Sequence, residues 1–184
     1  GKKKQHPMMS QTGEYRYYEN EQFQAVSLPY GKGRLSMYIF LPRQNSNLDT
    51  FLGKLTPDNW NQWISKFTRR EGSIQIPRFK FAYEIELKNA LKALGMGAIF
   101  DSTNADFSRM SANPVYVNGV KHKTFVEVNE EGTEAAAVTS INIRATSVEI
   151  SQPFRMVADR PFFCGIRDNQ TGSILFMGAI VEPH

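Results

Sequence analysis

Between Asn129 and Pro161 the chain runs through Glu130–Pro153, a stretch too long for an ordinary connection and too patterned for a linker. Structureless connections beyond about 12–15 residues are uncommon in compact domains and are usually functional or disordered. Taken as a strand, this one is two-faced. Thr133, Ala135, Ala137, Thr139, Ile141 and Ile143 are small or apolar, whereas the alternate Glu134, Ala136, Val138, Ser140, Asn142 and Arg144 turn polar toward the ends. Three alanines also suit a helix over Glu131–Thr139, so propensity leaves both states open. Thr139, Ile141, Ile143, Thr146 and Val148 pull toward β, and Gly132 stands where a hinge is needed. A loop that can also be a strand is a candidate two-state element.

The surrounding chain predicts α+β architecture, with about eight strands and three helices. Apolar segments 22–30 and 34–41 flank Tyr30-Gly31-Lys32-Gly33, whose glycines suit the positive φ of a tight hairpin. Leu48, Phe51, Leu52 and Leu55 fall on one helical stripe. Thr56 can cap a second helix with Pro57 at its first position and Asp58 at the positive end of its dipole, burying Trp60, Trp63, Ile64 and Phe67. From Ser73 the period becomes two. Pro77 then interrupts between Ile74/Ile76 and Phe79/Phe81/Tyr83, which suggests a change of sheet. A helix is expected over Glu86–Leu94, with Leu87, Leu91 and Leu94 inward and Gly95 as a left-handed cap. Residues 101–114 read as loop, and 115–129 as an extended segment turning at Asn118-Gly119. Arg160–Arg167 and Ser173–Glu182 predict a second hairpin, central because it leaves little polar face.

Several function classes lose support at this level. Lys+Arg of 22 against Asp+Glu of 18 leave a net charge of +4 without a basic stripe, so neither nucleic acid nor another polyanion is indicated as a partner. The run Lys2-Lys3-Lys4 reads as a solvated chain end. No run of about 18 apolar residues is present, so no membrane span is expected. His6, His122 and His184 are scattered without ligand spacing, so no metal or other cofactor is expected. Ser147 has no legible His/Asp arrangement around it, so a hydrolase is not indicated. The single Cys164 sits in an apolar run as a small core residue, and Asn169-Gln170-Thr171 matches a glycosylation acceptor on a turn.

Asn129-Glu130-Glu131-Gly132-Thr133-Glu134-Ala135-Ala136-Ala137 resembles the hinge of the reactive loop of inhibitory serpins. Val117–Val128 resembles the strand leading into that hinge, and Ser173–Pro183 the family's terminal strand. Ile76-Pro77-Arg78-Phe79 and Asp159-Arg160-Pro161-Phe162 fall in order between them. The resemblance implies the serpin fold, several sheets with a mobile reactive-centre loop at residues 130–152, this chain supplying roughly the C-terminal half of a single domain. The N-terminal helical half then comes from a partner chain, or the chain is an excised fragment. It further implies a suicide-substrate inhibitor of a serine, or a cysteine, protease, acting outside the cell or in the periplasm, and not an enzyme itself. After cleavage the loop would insert as a new strand beside 115–129, with Thr133, Ala135, Ala137, Thr139, Ile141 and Ile143 inward. A non-inhibitory serpin serving as carrier, chaperone or storage protein is the alternative.

The same resemblance implies a scissile bond a nearly fixed distance beyond the hinge threonine. Counting thirteen residues on from Thr133 reaches Thr146, hence the bond Thr146-Ser147 and an elastase- or subtilisin-like target. Arg144-Ala145 is the rival, for a trypsin-like protease with an acidic primary pocket. It would shorten the insertable strand by two residues, about 6.6 Å at ~3.3 Å per residue.

Overall fold

The computed structural model describes residues 5–129 and 152–183. Residues 130–151, with the hinge and both rival scissile bonds, lie outside the described residues, as do Lys2–Lys4 and His184. Nine strands and three α-helices are described: β1 (Met8–Glu19), β2 (Phe23–Tyr30), β3 (Leu35–Pro42), α1 (Leu48–Gly53), α2 (Pro57–Ser65), β4 (Thr68–Pro77), β5 (Phe79–Glu86), α3 (Lys88–Leu91), β6 (Lys121–Val128), β7 (Phe154–Val157), β8 (Phe162–Asp168) and β9 (Ile174–Ile180). They form a seven-stranded sheet, ordered β7-β4-β1-β2-β3-β8-β9, and a two-stranded sheet of β5 and β6. The fold is α+β, as expected. The chain divides into two compact units, Lys80–Val126 and the remainder.

The expected hairpin is β2–β3, with Tyr30 opposite Leu35 and with Gly31 and Gly33 at φ of 50° and 84°. Only glycine adopts that backbone without strain. Thr56 caps α2 through a 3.2 Å bond from the Asn59 amide to its Oγ1, and Asn47 caps α1 in the same way from Thr50. The two helices bury Phe51, Trp60 and Trp63 against Phe23, Phe40, Phe67 and Phe163 of the large unit. Phe67 joins this cluster from the linker after α2 rather than from the helix, and Leu52, expected on the buried stripe, is exposed.

Four expectations need correction. β4 begins at Thr68, five residues before the alternation becomes visible, because Arg69, Arg70 and Glu71 mask its period. The helix expected over Glu86–Leu94 is α3 alone. It passes into a π-turn at Lys92–Met96, where Gly95 adopts φ 93°, and a 3-10 turn follows over Gly97–Phe100. Leu94, expected inward, is 79 % exposed, since the widened turn rotates it off the stripe of Leu87 and Leu91. In the segment 115–129 the strand starts only at Lys121, the preceding turn being held by Glu86, whose carboxylate accepts the Val120 amide at 2.8 Å. Finally, the β8–β9 hairpin is not central as a whole. β8 lies between β3 and β9, but β9 ends the described sheet, with Leu175, Phe176 and Met177 exposed.

The change of sheet at Pro77 is observed: β4 belongs to the large sheet and β5 to the small one. Cys164 is buried in β8, and burial pushes its thiol up to about 12. The Asn169 side chain is fully engaged. Its Nδ2 donates to Gly33 O at 3.0 Å and Ser36 Oγ at 2.8 Å, and its Oδ1 accepts from the Tyr38 hydroxyl at 2.8 Å. An N-linked glycan would have to displace one of those bonds.

Candidate functional site at the flanks of the reactive segment

The chain enters residues 130–151 from β6 and leaves them at Gln152, two residues before β7. The two flanks belong to different sheets.

On the incoming side, β6 is the last described strand of a two-strand sheet. Its partner β5 runs antiparallel: Glu84 meets Lys121 at 3.3 Å and Lys123 at 2.9 Å, while Lys80 lies over the Phe125 ring at 5.2 Å. These ion pairs are solvent-exposed, so each is worth about 0–1 kcal/mol and pins register more than it stabilises. Phe125 is exposed, and only Val128, at the junction with the reactive segment, is buried.

The outgoing side is held in the large sheet by pairing, ring packing and polar bonds. β7 is four residues long and pairs in parallel with β4, Gly72 opposite Phe154 and Gln75 opposite Val157. Phe154 and Met156 turn inward, Arg155 outward. The Phe154 ring stacks on Tyr17 with centroids 3.8 Å apart and meets Tyr15 edge-on at 6.1 Å. Such pairs contribute roughly 0.5–1.5 kcal/mol beyond their burial. The ring fits only because residue 72 has no side chain: a Cβ there would lie 2.5 Å from Phe154 Cε1 and Cγ.

Polar groups complete the anchor. Tyr17, fully buried, donates its hydroxyl to Glu19 Oε2 at 2.9 Å and accepts from Gln24 Nε2 at 2.7 Å. Gln24 Nε2 also reaches the Arg155 carbonyl at 3.0 Å, tying β2 to β7. Arg43 and Arg70 clamp the two Glu19 oxygens at 2.7 Å and 2.9 Å. Arg70 also lies 5.1 Å over the Tyr17 ring and donates to the Gln152 carbonyl at 3.4 Å, the last described residue of the reactive segment. Burial alone would raise the Glu19 carboxyl, but hydrogen bonds from Arg70, Tyr17 and Arg43 outweigh it and hold the group below its ordinary value. Burial drives the Tyr17 phenol well above its ordinary range, with the Glu19 charge adding to it. Glu19 is therefore the anion around which this corner closes.

Sequence reasoning missed most of this anchor. The sequence does not announce the strand over Met8–Glu19, although Tyr15 and Tyr17 alternate with Arg16 and Tyr18, because the preceding Ser10-Gln11-Thr12-Gly13 has no apolar face. Gly72 carried no signal on its own; its necessity comes from a ring 82 residues further on. Among the described residues no group of three or more His, Cys, Asp or Glu could hold a metal ion, and no helix is long and apolar enough to cross a membrane.

The family described as Serpin (serine protease inhibitor) matches residues 1–183. Among known proteins, the chain is 37 % identical to the neuroserpin of Gallus gallus over 186 residues, covering 96 % of this chain and 45 % of that protein. It is 37 % identical to Serpin-ZXA of Oryza sativa subsp. japonica, over 100 % of this chain and 48 % of the relative. An uncharacterised serpin-like protein of Thermococcus kodakarensis is 35 % identical over 96 % of this chain and 41 % of its own length. The chain thus spans less than half the length of these relatives. With a continuous match from its start to residue 183, and with the sheet order and flanking strands described above, the chain belongs to the serpin family.

Proposed function

We propose that the protein containing this chain is a suicide-substrate inhibitor of a serine protease, with residues 130–152 as its bait. The observation that carries this reading is the asymmetry of the flanks. The outgoing flank is tied into the large sheet by the Phe154–Tyr17 stack and the Arg70–Gln152 bond, whereas the incoming flank continues β6, at the end of its described sheet. A cut inside the bait leaves the C-terminal stump on its anchor and frees the stretch attached to β6. That stretch carries the alternating pattern from Thr133 to Ile143 and can add to β6 as a further strand. An acylated protease would be carried with it. The exposed apolar residues of β9 fit the companion proposal that the remaining half of the same serpin covers them.

The experiment is incubation of the full-length protein with elastase-, subtilisin- and trypsin-like proteases, followed by denaturing electrophoresis. The expected result is a covalent complex that survives denaturation; release of the cleaved chain alone would refute inhibition and favour a carrier or storage role. The mass of the peptide freed from the complex reads the bond. Ser147 as its first residue supports Thr146-Ser147, and Ala145 would transfer the site to Arg144. The same reading places the protein where such proteases act, outside the cell or in a periplasm.

A further inference from the structure

Beside the outgoing flank the large unit carries an open groove of about 620 Å³ whose walls include Arg43, Arg155 and Arg160, with Gln24 and Val157 between them and Asp159 as the one carboxylate. Two of the three guanidiniums are held in place. Arg43 donates Nε to Asn20 O at 3.2 Å and Nη2 to Glu19, and Arg160 donates Nε to Pro42 O and Nη1 to Asp159 Oδ1, both at 2.7 Å. Each retains N–H groups that these bonds do not use. Arg155 projects from the outer face of β7 and is exposed, and its guanidinium has no hydrogen bond or ion pair among the described residues. Asp159 is already matched by Arg160, so the lining keeps an excess of positive charge while presenting preset donors to an anion.

We propose that this groove is an acidic-group docking site for the target protease, separate from the bait bond; the proposal rests on the inhibitory reading above. Arg155 follows Thr146 by nine residues, at most about 30 Å of extended chain, which is about the diameter of a small domain. A protease gripping the bait therefore has its own rim within reach of the groove. Carboxylates on that rim meet Arg155 in water-exposed surroundings, where such pairs chiefly set association rate and its dependence on salt rather than residence time.

The test uses full-length protein and the variant Arg155→Glu, which leaves the backbone bond from Gln24 and the ring stack untouched. With a protease that the wild type traps, the association rate constant should fall roughly tenfold in the variant at low salt. The wild-type rate should drop between about 0.05 and 0.3 M NaCl more steeply than the variant's, with the stoichiometry of inhibition unchanged. Fluorescein-labelled hexaglutamate, followed by anisotropy, reads the groove independently of any protease: wild type should bind it more tightly than the variant. Equal peptide binding by the two proteins overturns the anion site. Peptide discrimination with identical rates and salt slopes overturns the protease as occupant, and selective loss of a sulfated polysaccharide in that case would give the groove to a glycan. If the wild type traps no protease, the inhibitory reading fails together with the protease as occupant, and the peptide result still decides whether the groove takes anions.

Discussion

Gly72→Ala is the smallest change that separates the anchor following residues 130–152 from the rest of the fold. The new methyl would stand 2.5 Å from Phe154 Cε1 and Cγ, far inside contact distance, so the ring must leave its place against Tyr17. Overpacking of this kind costs about 1–3 kcal/mol. Loss of the stack adds about 0.5–1.5 kcal/mol. β7 ends the described sheet and pairs along its backbone with β4 alone, Gln24 adding one side-chain bond, so a cost of about 1.5–4.5 kcal/mol falls on the docking of that one strand. At ~1.4 kcal/mol per factor of ten, its opening should become at least about tenfold more frequent. Native-state hydrogen exchange reads this directly. Amides of Phe154–Val157, and of Ala158, which donates to Gln75 O at 2.8 Å, should exchange faster in the variant, while those of β8 keep their protection. Adding Phe154→Ala to Gly72→Ala should cost less than the sum of the single changes, because the methyl then occupies vacated space. Unchanged exchange across β7 in Gly72→Ala, or strict additivity in the pair, would refute the argument that a side-chain-free residue 72 creates the anchor.

Three further outcomes are expected. Thr133→Arg in the full-length protein should leave folding and cleavage intact but turn inhibitor into substrate, because insertion would force a cation toward the sheet interior; an unaltered yield of denaturation-resistant complex would contradict the inward orientation of residue 133. Glu19→Gln should destabilise at neutral pH. Since the folded-state pKa lies below the ordinary 4.5, the wild-type advantage is fully present above that value and is lost as pH falls through the depressed pKa; chemical denaturation from pH 3 to 7, about the carboxylate range, should show the two proteins converging in acid, and a pH-independent difference would exclude the linkage. Asn169→Ala removes three hydrogen bonds and should cost about 1.5–4.5 kcal/mol at roughly 0.5–1.5 kcal/mol each; for the same reason, wild type made in a glycosylating host should keep its mass after N-glycosidase treatment, and a mass loss would show that the amide is freer than its bonds imply.

Local chemistry alone determined the elements whose causes lie within a few residues of one another. The Gly31/Gly33 reversal follows from positive φ, the Thr56-Pro57 helix start from orphan amides and a fixed φ, and the sheet change at Pro77 from a missing donor. The family, too, was legible from the hinge motif and the order of the flanking segments, since those are strings of residues and require no geometry. Only the tertiary structure decided which strands meet and which apolar residues find cover. Tyr17, Arg70 and Phe154 converge from points 53 and 84 residues apart, and no periodicity near any one of them announces the other two. Leu94 and Met177 carry the apolar signal of buried positions and yet stand exposed. Hydrophobicity states what a side chain gains from burial; whether a neighbour arrives to bury it depends on chain far away in sequence.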